Sequence, residues 1–156
     1  MNVEFINPFI MATTNVLKEI IPDIEMTRGA LGKQKNPIVT RGCASLIGVT
    51  GDVEGRVVLD MDQQTAVNLA GGMLGEKMDH FDNLVSSTIN EIANMICGGA
   101  ISILINTGKN LDISAPTMFT GRNLEIYDSA TVGEAIVVPI DSNYGQIIIN
   151  VAMMPS

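Results

Sequence analysis

The sequence has few of the residues on which many enzymes depend. It has no tryptophan, one histidine and two cysteines, and aromatic residues make up 4% of its 156 positions. With His80 as its one histidine, a serine or cysteine nucleophile would have to be activated by a residue in a polar connecting segment. Cys43 and Cys97 lack the C-x-x-C spacing of redox and zinc sites, and no P-loop motif is present. We therefore expect buried, reduced thiols, no metal site and no cofactor of the chain's own.

Positive charge is also scarce. Nine lysines and arginines stand against 17 aspartates and glutamates, which gives a formal net charge of −8. A chain with this charge repels a nucleic-acid backbone, so we expect no nucleic-acid binding. The N-terminus has no features of a secretory leader, and no apolar run approaches the ~18 residues of a membrane span. These absences predict a cytoplasmic protein that does not bind membranes.

The composition that is present indicates a globular protein. Hydrophobic residues make up 46% of the sequence and charged residues 17%. The length is that of one ordinary domain, and we expect a single domain over residues 1–156. Ten methionines favour an adaptable aliphatic core, with an adhesive interface as the alternative.

Capping residues and apolar spacing predict three helices. The first covers residues 8–21. The second, capped by Asp62, covers residues 63–74. The third begins after a cap at Asp82 and reaches Ile105, which is long for a globular protein.

Short aliphatic and β-branched runs predict strands between these helices. Strands are expected at 24–27, 44–50, 53–61, 111–114, 117–120, 135–140 and 146–153. Residues 28–41 are predicted to form a basic loop, solvated or facing an acidic partner, and residues 121–133 a polar connection. The fold class is α+β, with helices packed on a predominantly antiparallel sheet. The shared order of elements in the two halves suggests a degenerate internal duplication.

The long third helix has two different faces. At 3.6 residues per turn, Ser87, Glu91, Asn94 and Gly98 fall within about 40–60° of one another. Its apolar residues centre on the opposite side, namely Ile89, Ile92, Ile96, Ala100 and Ile103. The polar stripe is either the solvated face of an amphipathic helix or a docking surface for another molecule.

Two glycines support the docking interpretation. Gly98 and Gly99 each destabilise a helix by about 1 kcal/mol relative to alanine. Close approach of another backbone at this point would offset that loss.

The pattern Ser87-x3-Glu91-x2-Asn94, followed after 21 intervening residues by Pro116, resembles the motif of the CheC/CheX/FliY family of chemotaxis phosphatases. The similarity is to the CheX type and covers most of the chain. It includes the segments NPFIMATTNVLKEI, GVTGDVEGRVVLDM, STINEIANMICGGA and APTMFTG.

This resemblance implies a CheC-like fold and a hydrolase that acts on the phosphoryl-aspartate of a CheY-like response regulator. Glu91 and Asn94 would be the catalytic pair. The regulator would supply the aspartyl phosphate, its Mg²⁺ and a lysine. Asn94 would then hold the attacking water, because a carboxamide both donates and accepts hydrogen bonds without charge. Glu91 would accept from the lysine.

The resemblance also implies a homodimer, while a departure from the family pattern leads us to expect at most one site per chain. CheC-type relatives have the motif twice, whereas the first helix here has Ala12-x2-Asn15, with an apolar residue at the glutamate position. Ser87 and Pro116 match the motif but are not expected to be catalytic. The alternative function is a non-catalytic adaptor on the same fold that binds a response regulator or a flagellar switch component.

Overall fold

The computed structural model describes residues 3–35, 37–127 and 135–155. A 3-10 turn at Val3–Phe5 precedes three α-helices, α1 (Asn7–Ile20), α2 (Gln63–Leu74) and α3 (Asn83–Asn106). The caps predicted for α2 and α3 are present. Asp62 Oδ1 accepts from the backbone N–H of Thr65 at 2.7 Å, and Asp82 Oδ1 accepts from that of Val85 at 3.0 Å.

Helix α1 starts one residue earlier than predicted. Ile6 occupies the N-cap position and makes no side-chain capping bond, while its carbonyl accepts from the backbone N–H groups of Phe9 and Ile10. Pro8 is tolerated in this first turn because its missing N–H would have no helical partner. Packing of the apolar residues, more than a capping side chain, therefore sets the start of α1.

Eight strands form one antiparallel sheet in the described part of the chain. They are β1 (Met26–Arg28), β2 (Gly32–Gln34), β3 (Ile38–Gly51), β4 (Val53–Met61), β5 (Leu111–Ile113), β6 (Thr117–Ile126), β7 (Ala135–Ser142) and β8 (Ile147–Pro155). The order across the sheet is β1-β7-β8-β4-β3-β5, with β2 also on β7 and β6 also on β3. The α+β class is confirmed.

The prediction of a loop over residues 28–41 was wrong. These residues include β2 and the first part of β3, where Ile38 and Thr40 are buried and Val39 is exposed. Their pairing partners lie about a hundred residues away in β7 and β6, so the short local pattern did not reveal them. The polar connection predicted over residues 121–133 is also strand as far as Ile126, and residues 128–134 lie outside the described part.

Helices α1 and α3 pack side by side and run antiparallel. Lys109 Nζ, just beyond the end of α3, lies 5.4 Å from the centre of the Phe5 ring, just before α1. Further along, Gly99 of α3 lies against Ala12 of α1. Both helices contribute to one apolar core with the sheet, whose largest fully buried side chains include Phe9, Leu17, Ile47, Met61, Ile89, Ile92 and Ile149.

Helix α3 is long and apolar enough to cross a membrane by length and composition alone. The sequence alone predicts no membrane-spanning segment. Half of the apolar stretch is buried inside the protein, which is typical of a core helix. The internal duplication is not confirmed and stays a prediction.

Candidate active site

The inner face of α3 fixes the helix against the rest of the protein. Ile89, Ile92, Ile96 and Ala100 are all buried, as the spacing predicts. Ile103 is only half-buried, so the prediction fails for this residue of the apolar set. The burial of the other four orients the opposite face of the helix toward solvent.

The outer face presents the predicted polar stripe. Ser87, Glu91 and Asn94 are exposed, and Gly98 is half-buried. Three residues on a helix correspond to a rise of about 4.5 Å, so Glu91 and Asn94 lie one above the other, within one turn. The carboxylate and the carboxamide are thus both accessible to a second molecule from the same direction.

A hydrogen bond that the sequence analysis missed holds α3 to the sheet. Asn90 Oδ1 accepts from the hydroxyl of Ser45, a residue of β3 that is 1% exposed, at 2.7 Å. Within the described part of the chain it is the one hydrogen bond from an α3 side chain to a strand. Aliphatic side chains tolerate small rotations of a helix, whereas a hydrogen bond to a buried hydroxyl is satisfied only in a narrow range of geometries. The pair therefore limits rotation of α3 about its axis, and so the direction in which the stripe faces.

The two glycines of α3 have different surroundings. A Cβ atom placed on Gly99 would lie 3.3 Å from the Cβ of Ala12, so Gly99 allows α1 to approach α3 closely. A Cβ atom placed on Gly98 would meet no described atom within 4 Å. The sequence alone treats the two positions alike.

Neither of the other two motif residues, Ser87 and Pro116, forms a described hydrogen bond with the active pair. The Ser87 hydroxyl forms no hydrogen bond with the described residues, whereas the neighbouring Thr88 donates to the carbonyl of Leu84 at 2.7 Å. Pro116 lies between β5 and β6, where it separates two strands as predicted.

The titratable groups in the described part of the chain add no nucleophile to this face. Burial raises the pKa of Cys97 to about 12, and burial with a smaller contribution from Asp60 does the same for Cys43. Both thiols are buried and unpaired, as predicted. Burial also raises the pKa of Asp60 itself, on β4, to about 6. His80 is exposed, with Nε2 3.8 Å from the carboxylate of Asp82.

Metal ligands are likewise not grouped in the described ranges. Among residues 3–35, 37–127 and 135–155, no three histidine, cysteine, aspartate or glutamate side chains form a cluster that could hold an ion. The stripe on α3 can therefore orient a water molecule or accept from a cation.

An antiparallel sheet with two long helices side by side and a polar stripe on one of them defines a protein with the CheC-like fold. A solved CheC-like protein from Shewanella is 30% identical, with a TM-score of 0.88 and coverage of 99% of both chains. The family model for the chemotaxis phosphatase CheX matches residues 43–141. The chain belongs to the CheX family.

Two further relatives are more informative about activity. The CheY-P phosphatase CheX of Thermotoga maritima is 28% identical over 127 residues, which is 81% of each chain. A CheX from Borrelia burgdorferi, solved in a complex with CheY, BeF3 and Mg²⁺, is 30% identical with a TM-score of 0.82. That similarity covers 96% of this chain and 97% of the other.

Proposed function

We propose that this protein hydrolyses the phosphoryl-aspartate of a CheY-like response regulator. Family membership and the Thermotoga relative's activity as a CheY-P phosphatase support this function. The observation on which the proposal depends most is the exposure of Glu91 and Asn94 on one face of a rigidly packed helix. An active pair that works on another protein's aspartate has to project from the surface.

In this mechanism Asn94 positions the attacking water. Hydrolysis of a phosphoryl group needs a water molecule in line with the bond that breaks, and little covalent chemistry from the catalyst. The carboxamide of Asn94 can accept a hydrogen bond from that water and donate one to a phosphoryl oxygen. Because it has no charge, it does not repel the phosphoryl oxygens.

Glu91 accepts from a lysine of the regulator. The side chain lies one turn before Asn94 and is exposed, so it can form a charge-assisted hydrogen bond as the helix enters the regulator's site. The bond would hold α3 in the one orientation that brings Asn94 to the phosphoryl group. Specificity for a protein partner then depends on both residues.

The Mg²⁺ ion belongs to the phosphorylated regulator. A divalent ion prefers several oxygen ligands, and Glu91 is the one carboxylate of α3. The ion would neutralise the phosphoryl oxygens while Asn94 holds the water. Calorimetry of the protein alone is expected to detect no tight divalent site, and a dissociation constant below ~10⁻⁶ M would contradict this assignment.

Release of phosphate from a phosphorylated CheY-like regulator of the same genome tests the function. Wild-type protein should accelerate release well beyond the regulator's own rate, and the Asn94→Ala variant should not. Binding without acceleration by the wild-type protein would instead support the adaptor function. We place this activity in the cytoplasm, and fractionation of cells should recover the protein with the soluble regulator.

The protein also acts as a homodimer in this proposal, with β6 at the subunit contact. Along its outer edge β6 has no strand partner within the described residues, and the exposed side chains of Leu124 and Tyr127 lie on or beside it. At the other end of the sheet, β2 is three residues long and includes Lys33, which discourages pairing. The ten-residue edge of β6, with exposed apolar side chains at its end, is the better candidate for association.

Light scattering tests the dimer. The mass should be twice the 16.6 kDa of one chain at tens of micromolar protein, and the Leu124→Lys variant should shift it toward that of the monomer. A wild-type mass near 16.6 kDa would contradict the dimer.

A further inference from the structure

Gly98 lies at a place where the folded chain does not need a glycine. Its backbone has no positive φ, since it is a residue in the interior of α3. A Cβ atom at this position would meet no described atom within 4 Å. Neither backbone conformation nor internal space therefore accounts for the residue.

The adjacent glycine provides the contrast. At Gly99 an added Cβ would lie 3.3 Å from Ala12, so a methyl group there would press α1 away from α3. Glycine in a helix interior is destabilising relative to alanine at both positions. For Gly99 the close packing of two helices offsets the loss, whereas for Gly98 no contact with the described residues offsets it.

Gly98 also belongs to the same stripe as the active pair. It is four residues after Asn94 and seven after Glu91, or about 40° and about 20° around the helix axis and about 6 Å beyond Asn94. The next residue along the stripe, Ser102, is exposed, and its hydroxyl donates back along the helix to the carbonyl of Gly98 at 2.9 Å. Beyond Asn94 the stripe therefore has no side chain at Gly98, and no described atom occupies the space that a Cβ would fill there.

We propose that Gly98 is a contact position for the response regulator, where a backbone segment next to the phosphorylated aspartate packs directly on α3. A regulator that presents its phosphoryl group to Asn94 while its lysine reaches Glu91 must lie over this part of the stripe. Absence of a side chain at Gly98 then sets how closely the two proteins approach. The inference rests on the proposed function, because it names a further residue of the same interface.

The test compares the variants Gly98→Ala and Gly98→Gln with wild-type protein. Glutamine is uncharged and compatible with a helix, so it adds bulk without changing the charge of the stripe. Ile105→Gln is the matched control, since it places the same side chain at an exposed α3 position about 10 Å further along the helix. Each protein is assayed for thermal midpoint, for binding to a CheY-like regulator loaded with BeF3 and Mg²⁺, and for steady-state dephosphorylation.

Stability and binding should change in opposite directions. Gly98→Ala should raise the midpoint by about 2–4 °C, because alanine is the better helix former. Gly98→Gln should fold at least as stably as wild type, yet raise Kd and KM about tenfold, since an interface accommodates an inserted side chain poorly. Ile105→Gln should leave Kd and KM near the wild-type values.

The possible failures are distinguishable. A Gly98→Gln protein with wild-type Kd and KM, alongside an active wild-type protein, would overturn this inference and leave the proposed function intact. A wild-type protein that binds the loaded regulator without hydrolysing the phosphorylated form would refute the phosphatase, while weaker binding by Gly98→Gln would still support the contact. A wild-type protein that neither binds nor hydrolyses would overturn both.

Discussion

Helices α1 and α3 are antiparallel neighbours, yet they use corresponding positions in opposite ways. In α3 the pair Glu91 and Asn94 is exposed. In α1 the residues with the same spacing are Ala12, which is 3% exposed and packs on Gly99, and Asn15, which is exposed. The α1 position that would match the glutamate is therefore occupied by the contact between the helices. An asparagine with the motif spacing can form a site only where the residue three positions before it is not buried in a contact between helices.

The largest effect on stability is expected when Ala12 is replaced by glutamate, so that α1 has the same pair of residues as α3. Ala12→Glu would bury an unpaired carboxylate against Gly99 and should destabilise the fold by about 3–5 kcal/mol, measured by urea unfolding. It should create no second active site. Met11→Glu is the matched control, because that neighbouring side chain is 54% exposed, and it should change stability by less than about 0.5 kcal/mol. An Ala12→Glu protein as stable as wild type would contradict the packing described for α1.

The second largest effect on stability is expected at the hydrogen bond that holds α3 to the sheet. Asn90→Ala removes the acceptor of the buried Ser45 hydroxyl and should cost about 1–3 kcal/mol. On α1, the hydroxyl of Thr14 donates only to a carbonyl of its own helix, that of Ile10. Thr14→Ala should therefore have a much smaller effect in the same unfolding assay. Equal losses from the two variants would show that the tertiary bond has no special role.

The smallest of the three effects is expected in the affinity for the response regulator. Glu91→Gln removes the charge that pairs with the regulator's lysine and should raise KM about tenfold, with a smaller change in kcat. If the lysine contact also orients the phosphoryl group, kcat will fall as well. Glu19→Gln, at an exposed position on α1, is the control and should leave both constants unchanged. Steady-state dephosphorylation measures both variants, and an unchanged KM for Glu91→Gln would remove the proposed role of the carboxylate.

Local signals were sufficient for the helices and for the direction of the stripe. Asp62 and Asp82 cap helices as predicted, because a cap depends on residues within one turn. The 3.6-residue period placed Glu91 and Asn94 on the exposed side for the same reason. The roles of the two residues in catalysis remain predictions.

Long-range contacts were not predictable in the same way. The local pattern predicts a loop where the first part of β3 lies, because the strand that pairs with it, β6, is far away in the sequence. The hydrogen bond between Ser45 and Asn90 likewise joins residues 45 positions apart. The difference between Gly98 and Gly99 depends on where α1 lies. Each of these features depends on which elements become neighbours in the fold, which no short window of sequence specifies.

The most direct measurement separates binding from turnover at Asn94. Asn94→Ala and its α1 counterpart Asn15→Ala would each be titrated against a regulator carrying BeF3 and Mg²⁺, and assayed for dephosphorylation of the phosphorylated form. Removal of a preorganised polar group that acts in the transition state typically costs ~10²–10³ in rate. Asn94→Ala should therefore bind as wild type and lose turnover to that extent, while Asn15→Ala keeps both. An Asn94→Ala protein that hydrolyses the aspartyl phosphate as fast as wild type would contradict the mechanism.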